Sequence, residues 1–177
     1  MASSFKKFSL ETQRLILLPI SLKYKETIFK DFTKEIARYL IPQPSGNIKD
    51  TEEFIKSSVE GLKNGTNLQL VAIDKNTKEF LGCVGFHETN TKTPGFGLWL
   101  KKSAHGKGLG KEAITYLKEW VDKNIDYEFI KYPVAFENLA SRKIPESLGA
   151  ILFSDTKKPY PSGASNREIM YHIKKKK

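Results

Sequence analysis

The stretch His105-Gly106-Lys107-Gly108-Leu109-Gly110-Lys111-Glu112-Ala113 runs from a glycine and lysine turn straight into a helix. Upstream, Gly97-Leu98-Trp99-Leu100 reads as a strand; downstream, Ala113, Ile114, Leu117, Trp120 and Val121 recur at helical spacing and give the helix one buried stripe. The chain must therefore hold a strand, turn and helix in succession, with a turn that tolerates positive φ and leaves the first helical N–H groups open. Such a junction is an anion cradle, because open amides and the helix dipole both favour a phosphate.

The spacing excludes two common phosphate sites. A nucleoside-triphosphate loop needs Gly-x-x-x-x-Gly-Lys-Ser/Thr, but Gly106 to Gly110 is one residue short and Glu112 follows Lys111, so no hydroxyl is available for magnesium. A dinucleotide fingerprint needs Gly-x-Gly-x-x-Gly after the first strand; here Gly106, Gly108 and Gly110 come late in the chain and at the wrong interval.

The remaining periodicity gives the order β-α-α-β-β-β-α-β-α-β-β, a mixed α/β layer fold. Arg14 to Ile20 reads as a first strand ended by Pro19, and residues 21–39 as one helix with Ser21 at its N-cap. A second helix, capped by Asp50 or Thr51, ends at Asn64-Gly65. Leu68–Ile73 and Phe80–Glu88 form strands around the turn Asp74-Lys75-Asn76-Thr77. Phe129–Phe136 is a strand in which Pro133 must interrupt pairing or lie at an edge; Asn138 caps a helix that stops at Gly149. Ile151–Phe153 and Ile169–Ile173 close the sheet.

At 177 residues and 39% apolar the chain suits a single domain, 1–177, structured over about 9–173, with Lys174 to Lys177 as a solvated basic tail. The lone Cys83 sits in an apolar run and reads as a buried structural thiol. No signal peptide or apolar run of membrane-spanning length occurs, so a cytoplasmic protein with no membrane partner is expected. The net charge of +10 favours acidic partners such as a phosphorylated cofactor or a ribosomal protein. Aromatic residues do not interleave with the basic ones, so no specific nucleic acid is expected. His87, His105 and His172 lack ligand spacing, so no metal is expected.

Trp99-Leu100, His105-x-x-Gly108-x-Gly110, Glu112-Ala113 and the later Glu137-Asn138-Leu139-Ala140-Ser141-Arg142-Lys143-Ile144-Pro145-Glu146-Ser147-Leu148-Gly149 together resemble the GNAT superfamily of N-acetyltransferases. The branch most resembled is that of the ribosomal-protein N-terminal (serine/alanine) acetyltransferases, whose opening strand is similar to Thr12-Gln13-Arg14-Leu15. The resemblance implies a mixed, mostly antiparallel sheet of about seven strands flanked by about four helices. It implies acetyl-CoA as cosubstrate, with its pyrophosphate on the backbone of Lys107, Gly108, Leu109, Gly110 and Lys111, aided by His105 and Gly106. Lys102 and Lys143 would meet phosphates; Leu98, Trp99, Leu100 and Lys101 would hold the pantetheine arm and offer an amide to the thioester oxygen; Asn138 would help hold the cofactor. Pro133 fits a family habit of splaying two strands apart to admit the cofactor.

Acetyl transfer needs a neutral amine, a donor for the oxyanion and a proton for the leaving thiolate. The resemblance assigns the last task to Ser141, and puts Pro145 where many members carry a tyrosine. Pro145 should also loosen the helix at residue 141. Positions where relatives carry an acidic base hold Gly95 and Phe153 here, which leaves Glu88, with His87 and Asp155, as candidates for the base. The expected acceptor is a protein N-terminal α-amino group, whose pKa near 8 makes deprotonation easy. A polyamine or aminoglycoside acceptor, or a non-catalytic acetyl-CoA sensor, are the alternatives; monomer and homodimer are both compatible with the sequence.

Overall fold

The computed structural model describes residues 5–176. Eight strands, one more than expected, form a single sheet: β1 (Leu10–Glu11), β2 (Leu15–Pro19), β3 (Asn67–Asp74), β4 (Phe80–His87), β5 (Gly95–Leu100), β6 (Phe129–Ala135), β7 (Ile151–Lys157) and β8 (Arg167–Lys174). Their spatial order is β1-β2-β3-β4-β5-β6-β8-β7, and every neighbouring pair is antiparallel except β5 and β6. The added strand is β1, two residues long and too short to show a period.

Four α-helices flank the sheet: α1 (Lys25–Asp31), α2 (Ile48–Asn64), α3 (Leu109–Asn124) and α4 (Leu139–Ser147). The expected single helix over residues 21–39 is instead broken. Ser21 makes no capping bond, α1 stops at Asp31, and the Thr33 hydroxyl accepts the Ile36 N–H at 3.3 Å to start a separate 3-10 turn, Ile36–Tyr39. The cap of α2 is Asn47, not Asp50 or Thr51: its Oδ1 accepts the Lys49 N–H at 3.1 Å, while Gly65, at φ +65°, closes the other end. Pro145 lies inside α4 without ending it; lacking an N–H, it leaves the Ser141 carbonyl without an intrahelical donor.

Leu98 and Leu100 face α3; Cβ atoms added to Gly110 would lie 3.0 and 3.7 Å from them and 3.5 Å from Ile144 of α4. Trp99, pointing the other way, packs against Phe32 and Phe80. Structure extends past both expected limits. Phe5 is buried, and with Phe8 it packs edge-on against Trp120; Lys174 pairs with Phe129 in the sheet and Lys175 Nζ donates to Ile125 O at 3.2 Å. The tail is thus ordered through Lys174, and Lys177 lies outside the described residues. No helix of the described residues is long and apolar enough to cross a membrane.

Candidate functional site

β5 and β6 are joined at one register position, Gly95 with Lys131, where the Lys131 N–H donates to Pro94 O at 2.7 Å. In a strand, alternate residues turn their backbone groups to the same neighbour. Pro94 faces β6, so Leu98 and Leu100 also aim their N–H groups at β6, beyond the last pairing. Lys131 faces β5, so Pro133 faces β5 too, and its missing N–H is the one that would have extended the ladder. On its other side Pro133 still pairs with Met170 of β8. The result is a slot between two parallel strands, with backbone donors on the β5 wall.

The slot opens onto the start of α3. Gly106 and Gly108 adopt φ of +72° and +73°, and the first helical bond runs from Glu112 N–H to Gly108 O. The amides of Leu109, Gly110 and Lys111 therefore precede the intrahelical ladder. Lys107 and Lys111 stand exposed beside them.

A clamp from the first turn of the sheet holds this loop. The Glu112 carboxylate accepts from Thr12 Oγ1 (2.6 Å), Arg14 N (2.7 Å) and Arg14 Nε (2.7 Å), and Arg14 Nη1 donates to Lys107 O at 3.0 Å. C=O and N–H point in opposite directions across a trans peptide. Pinning Lys107 O to Arg14 thus turns the Gly108 N–H away from Arg14. Burial alone would push the Glu112 carboxyl up, but the Thr12 and Arg14 donors outweigh it and hold the group below the usual carboxylate range.

The sequence-nominated residues divide between the slot and its surroundings. His105 Nε2–H donates to Leu100 O at 2.8 Å, which ties the turn to the end of β5. Lys101 is ion-paired with Glu79, and Lys102 with Glu35 at 2.5 Å, so both ammonium groups are engaged by carboxylates outside the cradle. Lys143 is exposed on α4. Asn138 caps α4 by accepting the Ser141 N–H at 3.3 Å. Ser141 Oγ lies 2.9 Å from the hydroxyl of Tyr132, a buried side chain of β6 whose phenol is pushed up by burial and stays protonated. Sequence reasoning missed Tyr132; its place in an alternating apolar strand is the only signal it leaves.

Among the candidate bases, Glu88 is exposed, sits at φ +56°, and accepts from Lys131 Nζ at 2.6 Å. Asp155 is ion-paired with Arg167 across the β7–β8 hairpin. Phe153 is exposed and stacks on His172, 3.9 Å between ring centres. His87 lies beside Gly85 and Gly97. Cys83 is buried and its thiol is pushed up by burial, which makes it inert. Among the described residues no group of three or more His, Cys, Asp or Glu side chains is placed to hold a metal.

A profile for the acetyltransferase (GNAT) domain matches residues 14–151. No curated protein matches the chain. Solved structures do: a ribosomal L7/L12 α-N-protein acetyltransferase (RimL) in complex with coenzyme A, at TM-score 0.83 and 18% identity over 94% of this chain and 98% of that one. The ribosomal-protein-S5-alanine acetyltransferase of Vibrio fischeri aligns at TM-score 0.82 and 21% identity, covering 95% and 97%. The microcin C7 self-immunity acetyltransferase MccE, in complex with acetyl-CoA and AMP, aligns at 0.79 and 23%, covering 92% and 93%. These likenesses establish a shared fold.

Proposed function

Since the chain belongs to the GNAT acetyltransferase family, we propose that it transfers an acetyl group from acetyl-CoA to a primary amine, most suitably a protein N-terminal α-amino group. One observation carries this reading: the slot between β5 and β6, lined by the open amides of Leu98 and Leu100, runs directly into the open amides at the start of α3. Such a channel suits a ligand with an amide-bearing arm and a diphosphate head, which is the chemistry of acetyl-CoA. The acceptor class is supported by two proteins of the same fold whose named targets are ribosomal proteins.

The residues present fit that cosubstrate. Gly108, Leu109, Gly110 and Lys111 would hold the diphosphate through their amides, Lys107 and Lys111 would add charge, and Leu98 or Leu100 N–H would meet the carbonyl oxygen as it gains negative charge. In the transfer, the amine nitrogen bonds to the acetyl carbon, the carbon–sulfur bond breaks, the amine loses one proton and the thiolate gains one. We assign the second proton to the Ser141 hydroxyl, with Tyr132 hydrogen-bonded behind it to replenish it.

The purified protein, given acetyl-CoA and a panel of peptides with free N-termini, polyamines and aminoglycosides, is expected to release free thiol with peptides in preference to the small amines. Binding of acetyl-CoA with no thiol released from any acceptor would leave a sensor domain, and a preference for small amines would overturn the acceptor class. Arg14→Ala, which frees the Lys107 carbonyl, is expected to raise the KM for acetyl-CoA about tenfold with little change in kcat, in line with the loss of one charge-assisted hydrogen bond. The penalty should shrink with S-acetylpantetheine, a donor that lacks the diphosphate; an equal penalty on both donors would place the effect of Arg14 elsewhere.

A further inference from the structure

His87 ends β4, paired with Gly95 of β5 on one side and Asn67 of β3 on the other. Its imidazole folds back along the sheet. A Cβ on Gly85 would lie 2.2 Å from Nε2, and one on Gly97 would lie 3.5 Å from the same atom. The ring therefore covers one glycine and abuts a second, and any side chain at Gly85 would evict it. It occupies the same sheet face as Trp99, opposite the face that Leu98 and Leu100 present to α3.

The position matters because Gly95 is also the last residue of β5 paired to β6. His87 thus flanks the closed end of the slot, on the side away from the cradle. Gly95 and Gly97 leave a lane across β5 free of side chains between the ring and the slot. No hydrogen bond engages the ring nitrogens among the described residues, and no buried side-chain nitrogen or oxygen lacks a partner, so these nitrogens reach solvent-accessible space. Glu88, the other titratable group at this strand end, has its carboxylate occupied by Lys131.

We propose that His87 is the proton acceptor for the attacking amine, which reaches it through the lane cleared by Gly95 and Gly97. The inference rests on the acetyl-transfer reading above. In the step, an N–H proton of the amine passes to a ring nitrogen of His87 while the nitrogen bonds to the acetyl carbon; the carbon–sulfur bond breaks and the thiolate takes its proton from Ser141. Burial lowers the pKa of His87, with Glu88 opposing the shift, so the imidazole is neutral at neutral pH and able to accept. The charge that acts on it is Glu88, the residue that follows β4, which pairs with Lys131 of β6; β3 contributes the neutral Asn67 and Gln69, and β5 contributes glycines.

The sign of the pH dependence follows. His87 accepts only when neutral, so kcat/KM falls as pH drops through its depressed pKa, below the ordinary value of about 6.5. In His87→Gln, kcat/KM for a peptide acceptor at pH 7 is expected to fall about 10²-fold, and the acid limb to move up toward the pKa of the substrate amine, about 8. Acetyl-CoA affinity by calorimetry should not change. His87→Asn serves the same comparison if the glutamine disturbs folding. Independently of turnover, the His87 ring resonance of the wild-type protein should titrate below about 6.5 and shift when coenzyme A and unacetylated peptide are added together. A pH profile in both variants that matches the wild type, or a ring resonance indifferent to that dead-end pair, overturns the role of His87. If the wild-type protein neither binds acetyl-CoA nor releases thiol, it is the acetyl-transfer reading that fails.

Discussion

Ser141→Ala is expected to lower the turnover number about 10²-fold while leaving acetyl-CoA affinity within about twofold, the pattern of a group that acts in the transition state. The hydroxyl is held from two sides, by the Asn138 cap on its own backbone amide and by the Tyr132 hydroxyl at 2.9 Å. Because burial keeps Tyr132 protonated, Tyr132→Phe should reproduce part of the loss by removing the group that resupplies Ser141. Initial rates at saturating peptide, read beside calorimetric affinities, separate the cases. An unchanged turnover number with tenfold weaker donor affinity would assign Ser141 to binding instead.

Gly82→Ala is expected to destabilise the protein by about 3–5 kcal/mol, combining strained backbone with overpacking. Gly82 has φ +151°, and a Cβ there would lie 2.1 Å from Trp99 O and 2.7 Å from Leu100 Cα. Both contacts are backbone, so no side-chain rotation relieves them. The residue sits where β4 shifts register against β3, between Ala72 and Ile73, and the irregularity brings Leu81 O to accept the Lys101 N–H at 2.8 Å. For a chain of this size the melting temperature should fall by roughly 10 °C. A loss below about 1 kcal/mol in thermal denaturation would show that β4 and β5 can separate locally without penalty.

What the sequence reveals of this molecule is what depends on neighbours along the chain. The glycine turn, the stripe of α3, the β3–β4 hairpin, and the α4 helix between Asn138 and Gly149 all follow from local spacing and turn chemistry. Three features did not, and each is a contact made across distance. The Arg14–Glu112 clamp joins residues 98 apart, and Tyr132 meets Ser141 only once α4 folds against β6. Lys102, expected to meet phosphate, and Lys101, expected on the wall of the pantetheine arm, pair with Glu35 and Glu79, which no spacing rule connects to them. Residues 21–39 failed for a different reason: their apolar spacing is helical, but the Thr33 hydroxyl offers the backbone a competing partner.

Because β5 and β6 share a single register pair, the sheet consists of two mechanically distinct panels, β1 to β5 and β6 to β8, hinged at Gly95 and Lys131. Within each panel, movement would rupture continuous hydrogen-bonded ladders. Between them, a change in width strains side-chain packing, such as Ile144 against Gly110, but breaks hardly any backbone bond. The least costly large-scale deformation of this chain is therefore a breathing of the slot itself, which changes its width without any strand unfolding.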